Sequence, residues 1–449
     1  MNEPEDRHMR NRQAEKHVQA ALAGIANRAR VSKRHRFGGV YALLNEDLLR
    51  WSFYNLNRKA APGVDGVTWA EYEKDLELNL QGLVNRLKRK AYRARLVRRH
   101  YIPKGPGKRR PLGIPVLEDK LVQYGAKMIL EAIFEADFME YSFAYRPNRS
   151  AKDAVRELCF RLQFSPFGWL VEADIKGFFD NINHEWMLKM LEERIDDRAF
   201  IQLIRKWLKA GILEDIHTVT HPGNGTPQGG VASPILANIY LHYVLDLWFE
   251  KVVRKEAKGE CLLMRYADDF VGAFRYKTDA ERFFSKGLKE RTAKFFLELA
   301  EEKTRMIRFT RYEVHESESF EFLGFEFQWG QDRNKRAHVK RRTTRKKQRA
   351  SCREITAWIR KNRHKGLRPL MATLARKLRG HWNYFGVHCN SKSLWEFYSH
   401  VCKVVYKWLN RRSQRRSFTW ARFTAMLERY NIPKPRITEK PGKRRFSFA

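Results

Sequence analysis

Three aspartates carry the chemistry that this sequence can support. Asp268 and Asp269 are adjacent inside the apolar run Cys261-Leu-Leu-Met-Arg-Tyr-Ala-Asp-Asp-Phe-Val-Gly-Ala-Phe274, and Asp174 closes another apolar stretch, Trp169-Leu-Val-Glu-Ala-Asp174. Neighbouring side chains on a continuous strand point to opposite faces, so Asp268 and Asp269 act together only if a tight turn at Ala267–Asp269 makes the run a hairpin. Carboxylates that close repel and lose hydration, a cost that a bound divalent cation removes. Asp174, at the end of a buried strand beside the hairpin, completes a three-carboxylate set. Such a set can hold two divalent ions roughly 3.5–4 Å apart, the arrangement of two-metal phosphoryl transfer.

The elements that must position these acids mix helix and strand. Leu43, Leu44, Leu48, Trp51 and Tyr54 have helical spacing and predict a helix over Val40–Leu56. Ala61-Pro-Gly-Val-Asp-Gly66 is a turn, and Thr68 is the expected N-cap of a helix through Leu87. Tyr101 to Pro115 reads as a hairpin with the loop Lys104–Arg110, followed by a helix from Glu118 to Phe138. A strand ends near Ile175, Trp186–Leu213 reads as helix, and the Gly/Pro-rich loop His221–Gly230 feeds a helix over Ser233–Phe249. After the Asp-Asp hairpin come a helix over Asp279–Leu299 and strand pairs near Met306–Phe309 and Phe320–Phe327. Regular βαβ alternation is missing, so the fold class is α+β. Beyond Trp329 strand signals fade. Leu394, Tyr398, Val401, Val405 and Trp408 share one helical face, so the tail is expected to be mostly helical.

Lys and Arg outnumber Asp and Glu by 89 − 51 = 38 in 449 residues. A surplus that large destabilises a compact state unless an anionic partner neutralises it, and nucleic acid is the expected partner. From Lys340 onward there are 31 Lys/Arg against four Glu and no Asp, so the last quarter holds +27 of the total. The five cysteines show no Cys-x-x-Cys pair and no zinc spacing, which fits free thiols in a reducing compartment. Met1–His17 lacks the apolar core of a secretory signal, and Val231–Phe249 is interrupted by Pro234, Asn238, His242 and Asp246. No membrane association is expected, and the compartment expected is the cytosol or nucleoid of a bacterial-type cell.

The ordered motifs make the chain resemble a group II intron-encoded reverse transcriptase/maturase. They are Ala61-Pro-Gly-Val-Asp-Gly66, Ile102-Pro-Lys104 with Arg110-Pro-Leu-Gly-Ile-Pro115, Tyr141-Ser-Phe-Ala-Tyr-Arg-Pro147, and Ala173-Asp-Ile-Lys-Gly-Phe-Phe-Asp-Asn-Ile-Asn-His184. Gly225-Thr-Pro-Gln-Gly-Gly-Val-Ala-Ser-Pro234, Tyr266-Ala-Asp-Asp269, Glu302-Lys-Thr304 and Phe322-Leu-Gly-Phe325 follow. The resemblance implies a right-hand fingers and palm over 37–329, a basic helical thumb/maturase (X) domain over 330–449, and a basic extension over 1–36. That extension is expected to be loosely ordered or to contact RNA.

The same resemblance implies roles. Asp174, Asp268 and Asp269 would bind two Mg²⁺, with the Ile175 carbonyl as a further ligand. Lys104 and Arg110 would clamp the triphosphate, and Gly177, Phe178, Phe179, Gln228 and Gly229 would complete the nucleotide site. Phe179 would be the steric gate that excludes a 2′-hydroxyl, or else a core aromatic. Lys303 would donate a proton to pyrophosphate, or else form a surface ion pair. Phe322, Leu323, Gly324 and Phe325 would form the primer grip, or else a strand–turn core. In the tail, Arg341, Arg342, Arg345, Lys346, Lys347, Arg411, Arg412, Arg415 and Arg416 are the expected RNA contacts, with Trp395, Trp408 and Trp420 available for packing or stacking.

The function expected is RNA-directed DNA polymerisation from dNTPs on an RNA template with a DNA primer, joined to binding of group II intron RNA and help in its splicing and mobility. Nothing in the sequence sets an oligomeric state. The metal-binding cluster of an appended homing nuclease is missing, so no nuclease is expected. Alternatives are a domesticated reverse transcriptase in phage defence or repair, a splicing maturase with little polymerase activity, and an RNA-dependent RNA polymerase. Phe179 and Gly225-Thr-Pro-Gln-Gly229 speak against the last.

Overall fold

The computed structural model describes residues 3–105, 108–215, 218–220, 223–226, 229–412 and 417–439. Two compact units divide the chain: Met1–Ser150, Ala173–Gly272 and Thr278–Arg305 form the first, and Ala151–Glu172, Ala273–Lys277 and Met306–Ala449 the second. This division differs from the break at 330 read in the sequence. The helix Ala151–Phe164 belongs with the later residues because it packs on a strand at Ala337–Thr343.

Strands β1 (Val97–Gly105), β2 (Lys108–Ile114), β4 (Ile212–Asp215) and β5 (Thr218–Thr220) form one sheet in the order β2-β1-β4-β5. A second sheet, β6-β7-β3-β8, contains β3 (Trp169–Asp174), β6 (Cys261–Tyr266), β7 (Asp269–Phe274) and β8 (Arg305–Arg308). The third, β11-β10-β9, contains β9 (Phe320–Phe322), β10 (Phe325–Gln331) and β11 (Ala337–Thr343). Mixed pairing with helices outside regular crossovers makes the fold α+β.

Several local expectations hold for stated reasons. Thr68 accepts from the Glu71 N–H while the Glu71 carboxylate accepts from the Thr68 N–H, a reciprocal cap for the helix Trp69–Lys74. A second helix, Leu76–Lys88, follows a break at Asp75. The hairpin β1–β2 extends further than its Gly/Pro content suggests, pairing Ile102 with Arg110 and Gly105 with Lys108, so Arg110 lies in a strand and not in a loop.

Other expectations are corrected. The helix Glu3–Val31 is no loose extension, because it packs on Glu46–Asn55 and Leu117–Phe134 and buries Ala14, Val18 and Ala29. Trp186–Leu213 is not one helix. Asp197 accepts from the Phe200 N–H and restarts the chain as Arg198–Leu208, and Ile212–Leu213 pair parallel with Val97–Arg98. Strand structure also continues beyond Trp329. β11 pairs antiparallel with β10 from Phe325↔Thr343 to Gln331↔Ala337, with Lys335 at φ 58° in the connecting turn. The buried face of Ser391–Leu409 is Leu394, Phe397, Val401, Val404, Val405 and Leu409, while Tyr398 and Trp408 are only half-buried.

Candidate active site

The turn between β6 and β7 is made by Ala267 and Asp268, and Ala267 takes φ 57°, the left-handed value that two-residue hairpins require. Asp269 begins β7, so the two acids leave the sheet together at its end. Asp174 ends β3, the neighbour of β7. Just beyond it the chain pairs with a later segment: Lys176 N–H donates to Glu298 O at 2.9 Å and Ala300 N–H donates to Asp174 O at 2.8 Å. That pairing buries Ile175 against Leu299 and brings the turn Glu301–Lys303 beside Asp174.

Lys303 Nζ donates to Asp174 Oδ2. The hydrogen bond and charge of Asp174, with Glu302 and Asp269 adding to it, raise the Lys303 pKa above its ordinary value. Burial raises the Asp268 carboxyl, the charge of Asp174 adds to that, and Arg110 and Lys303 pull it down. Asp174 and the distant pair Asp268–Asp269 therefore share the field of one ammonium. The role expected of Lys303 and the ion pair that was its alternative are both compatible with this geometry.

Among the described residues no three His, Cys, Asp or Glu side chains are close enough together to hold a metal ion. The crowding itself fits one, since Asp268 is raised both by burial and by a like charge, the two costs that a divalent cation relieves. Asp174 and Asp268 are the acids whose charges interact, and Asp269 lies within reach of the same ammonium.

Two residues went unremarked in the sequence. Tyr145 holds φ 57° while 46% exposed, and its pKa is raised by burial and by Asp268, with Arg110 opposing. Arg265, inside the apolar run before the turn, is fully buried. It grips Asp246 through Nε at 2.8 Å and Nη2 at 2.6 Å, and donates from Nη1 to Asn238 Oδ1 at 3.2 Å and to the Ala267 carbonyl at 3.3 Å. Burial pushes the Asp246 carboxyl up, but Arg265 and His242 outweigh it and hold it below the usual range. The signal was available: a lone arginine within a strand that is otherwise apolar needs a buried acid.

Around the acids, Gly177 takes φ 55° and leads into Phe178-Phe179-Asp180. Phe178 is core, against Tyr240, whereas Phe179 is half-buried, so the core alternative applies to the first ring. The Phe179 carbonyl accepts from Thr226 N–H at 2.8 Å, and a Cβ on Gly225 would lie 2.7 Å from Asp180 O. Gly229, at φ 112°, has no room for a Cβ because Gly113 O would lie 2.5 Å away. Its close backbone approach is thus to β2. Gln228 and the Lys104 side chain lie outside the described residues.

In the second unit Phe322 and Phe325 are core residues paired across β9 and β10, and the turn is Leu323-Gly324 at φ 51° and 80°. The Leu323 carbonyl accepts from Tyr384 Oη at 2.9 Å. Arg341 is removed from the expected RNA contacts. It occupies a buried register of β11 and makes a bidentate pair with Glu439 at 2.8 and 2.9 Å. Arg342, Arg345, Lys346, Lys347 and Arg411 are exposed, and half-buried Arg412 donates to Lys365 O at 3.1 Å. Arg415 and Arg416 lie outside the described residues. Arg345, Lys346 and Lys347 fill the first turn of the helix Arg345–Asn362 with no acid beside them. The helix dipole disfavours cations there and favours an anion.

Residues 102–327 match the family model described as reverse transcriptase (RNA-dependent DNA polymerase), and residues 348–425 match the group II intron, maturase-specific domain. Protein YkfC of Escherichia coli (strain K12) is 33% identical over 296 residues, covering 59% of this chain and 74% of that protein. Group II intron-encoded protein LtrA of Lactococcus lactis subsp. cremoris is 32% identical over 342 residues, covering 63% of this chain and 55% of that protein. An uncharacterized 91 kDa protein in a cob intron of Schizosaccharomyces pombe is 37% identical over 220 residues, covering 47% of this chain and 26% of that protein. The chain thus spans three quarters of the first and about half of the second.

Proposed function

Since the chain belongs to the reverse transcriptase family and joins to it a group II intron maturase-specific domain, we propose that it is an RNA-directed DNA polymerase that also binds intron RNA and assists splicing and mobility. The observation that carries the polymerase reading is the convergence of Asp174, Asp268 and Asp269 on the field of Lys303.

Asp174, Asp268 and Asp269, with the Ile175 carbonyl, would hold two Mg²⁺, which supply Lewis acidity at the primer 3′-hydroxyl and the departing pyrophosphate. The protein's own groups do the rest. Arg110, close enough to Asp268 to lower its pKa, offers a cation to the triphosphate of a dNTP, with Lys104 on the paired strand. Phe179 presents a half-exposed ring where a bulky group would reject a 2′-hydroxyl, above a turn held rigid by Thr226 and Gly225. By the family resemblance Gly177, Phe178, Gln228 and Gly229 would complete the nucleotide site, with Phe178 supporting it from the core and Gln228 outside the described residues. Lys303 Nζ, beside Asp174, would be the group that donates a proton to pyrophosphate. The Leu323-Gly324 turn, not the buried Phe322 and Phe325 rings, offers the surface for a primer.

The maturase reading rests on the second matched domain and on exposed cations that ordinary surface solvation does not require. No helix among the described residues is long and apolar enough to cross a membrane. The five free thiols support a reducing compartment, the cytosol or nucleoid of a bacterial-type cell.

Primer extension on an RNA template, with dNTPs or with NTPs, tests the polymerase. Extension with dNTPs is expected, and extension with NTPs alone would overturn the reading. Splicing of intron RNA at low Mg²⁺, with and without the protein, tests the maturase, for which unchanged splicing is the contrary result.

A further inference from the structure

In the second unit the helices Arg345–Asn362 and Ser391–Leu409 pack together, with one cavity lined from both and a neighbouring one lined by Ser391–Leu409 alone. The first, about 590 Å³, is lined by Arg353, Thr356, Arg360, Arg363, His400 and Trp408 among others, and no carboxylate faces it. The second, about 500 Å³, is lined by Lys392, Trp395, Ser399 and Lys403 with one acid, Glu396, and also reaches His400. One wall residue is therefore common to both.

The charge arrangement is the unusual part. Four cations surround the Trp408 ring: Arg363 at 5.0 Å from its centroid, Arg360 and Lys407 at 5.8 Å, and Arg411 at 5.9 Å. Among the described residues none of these four pairs with a carboxylate. One indole face attracts a cation, but four like charges about one ring repel each other, so the cluster is stable in company with an anion. Trp395, the aromatic wall of the second cavity, meets Tyr398 edge-on at 5.8 Å and leaves 49% of its surface exposed. Thr356 Oγ1 and His400 Nε2 meet at 3.0 Å in the wall of the first cavity.

We propose that this pair of cavities takes consecutive unpaired nucleotides of an RNA strand, with phosphates on the arginine rim and bases against Trp408 and Trp395. The inference rests on the reading that RNA is the partner, and adds the form of RNA recognised. Aromatic walls need the open face of a base, which a duplex hides, and phosphate-binding cations beside stacking rings are how single strands are held. Cavities of several hundred Å³ suit units of nucleotide size.

The test is anisotropy titration of the full chain with a short labelled oligouridylate and with a blunt RNA duplex of the same length. Trp395→Ala should lose about tenfold in affinity for the single strand, with Trp395→Phe recovering most of it and duplex binding unchanged within about twofold. Arg360→Gln with Arg363→Gln should flatten the single-strand salt dependence by about 1.4 log units per log unit of salt, about 0.7 for each lost phosphate contact. Circular dichroism checks that each variant is folded; Trp395 is exposed enough for its removal to be tolerated. If the wild type binds oligouridylate and the variants bind it equally well, the cavities are not the site. Equal losses on single strand and duplex would reduce them to a general basic surface and overturn the proposal too. A wild type that binds neither RNA sinks the maturase reading itself, and this inference with it.

Discussion

Acids crowd around one ammonium in the first unit, and cations crowd around one indole in the second. Both are concentrations of one sign beyond what their neighbours neutralise. The contrast is in what each can accept. Carboxylates at strand ends leave a small polar space suited to a compact cation, whereas long side chains around flat rings leave room for a large planar anion. Each unit also holds a buried arginine whose charge is fully met, Arg265 by Asp246 and Arg341 by Glu439. Charge that is satisfied builds the fold, and charge in surplus marks a site.

The sharpest way to break this contrast is to remove one member of the acid cluster. Asp268→Ala should lower primer extension about a thousandfold or more, since metal-ligand contacts are worth several kcal/mol in the transition state. RNA affinity should stay unchanged, because the exposed cations of the second unit are untouched. Substantial residual extension would detach the acids from catalysis.

Arg265 tests whether satisfied charge also serves the site. Arg265→Met strands Asp246 in the core and should destabilise the first unit by about 3–5 kcal/mol. Adding Asp246→Leu removes the stranded acid and should return most of the melting temperature. The Ala267 carbonyl still lacks the donor found at 3.3 Å, so extension should stay well below wild type. A double variant with full activity would make Arg265 a fold residue only.

The acids were legible because few backbone arrangements let adjacent aspartates sit in an apolar run, and a hairpin turn is the simplest. Where side chains act through partners far along the chain, reading failed. Arg341 is one of a run of identical-looking cations, and its fate depends on Glu439, 98 residues away. The run also hid β11, although Val339, Arg341 and Thr343 alternate inward as a half-buried strand should. The helix Glu3–Val31 was discounted for its charge, yet Ala14, Val18 and Ala29 form a narrow stripe of small residues that packs. On Ser391–Leu409 the buried face is turned from the one expected because Tyr398 and Trp408, large but amphipathic, stay half-exposed.

Buried carboxylates in the two units should titrate with opposite sign. Burial pushes Asp119 up to about 6 in spite of hydrogen bonds from Tyr92 and the Arg95 N–H. The unfolded value is about 3.9, so the unfolded chain releases its proton first and stability falls by up to about 3 kcal/mol between those pH values. Asp119→Asn should therefore gain on wild type as pH rises from about 4 to about 6, then level off. Glu439 is raised by burial but lowered further by Arg341, so its net pKa is depressed. Its contribution is complete above the unfolded value of about 4.3 and is lost as pH falls through the folded one. The deficit of Glu439→Gln should thus shrink in acid. Denaturation curves across pH 3–7 that shift in the same direction for both variants would contradict the pairing described here.

The smallest effect separates surplus cations from satisfied ones within a single charge run. Arg345 and Lys346 are exposed in the first turn of their helix, where the dipole opposes them, and Arg341, a few residues earlier, is locked to Glu439. If the exposed pair contacts phosphates, Arg345→Gln and Lys346→Gln should each flatten the salt dependence of RNA binding by about 0.7 log units per log unit of salt. Neither should cost more than about 0.5 kcal/mol in stability, as usual for surface changes. Arg341→Gln should do the reverse, lowering the melting temperature while leaving the salt slope as it was. Equal slopes for all three would mean that net charge alone governs binding, and that burial does not sort these cations into two kinds.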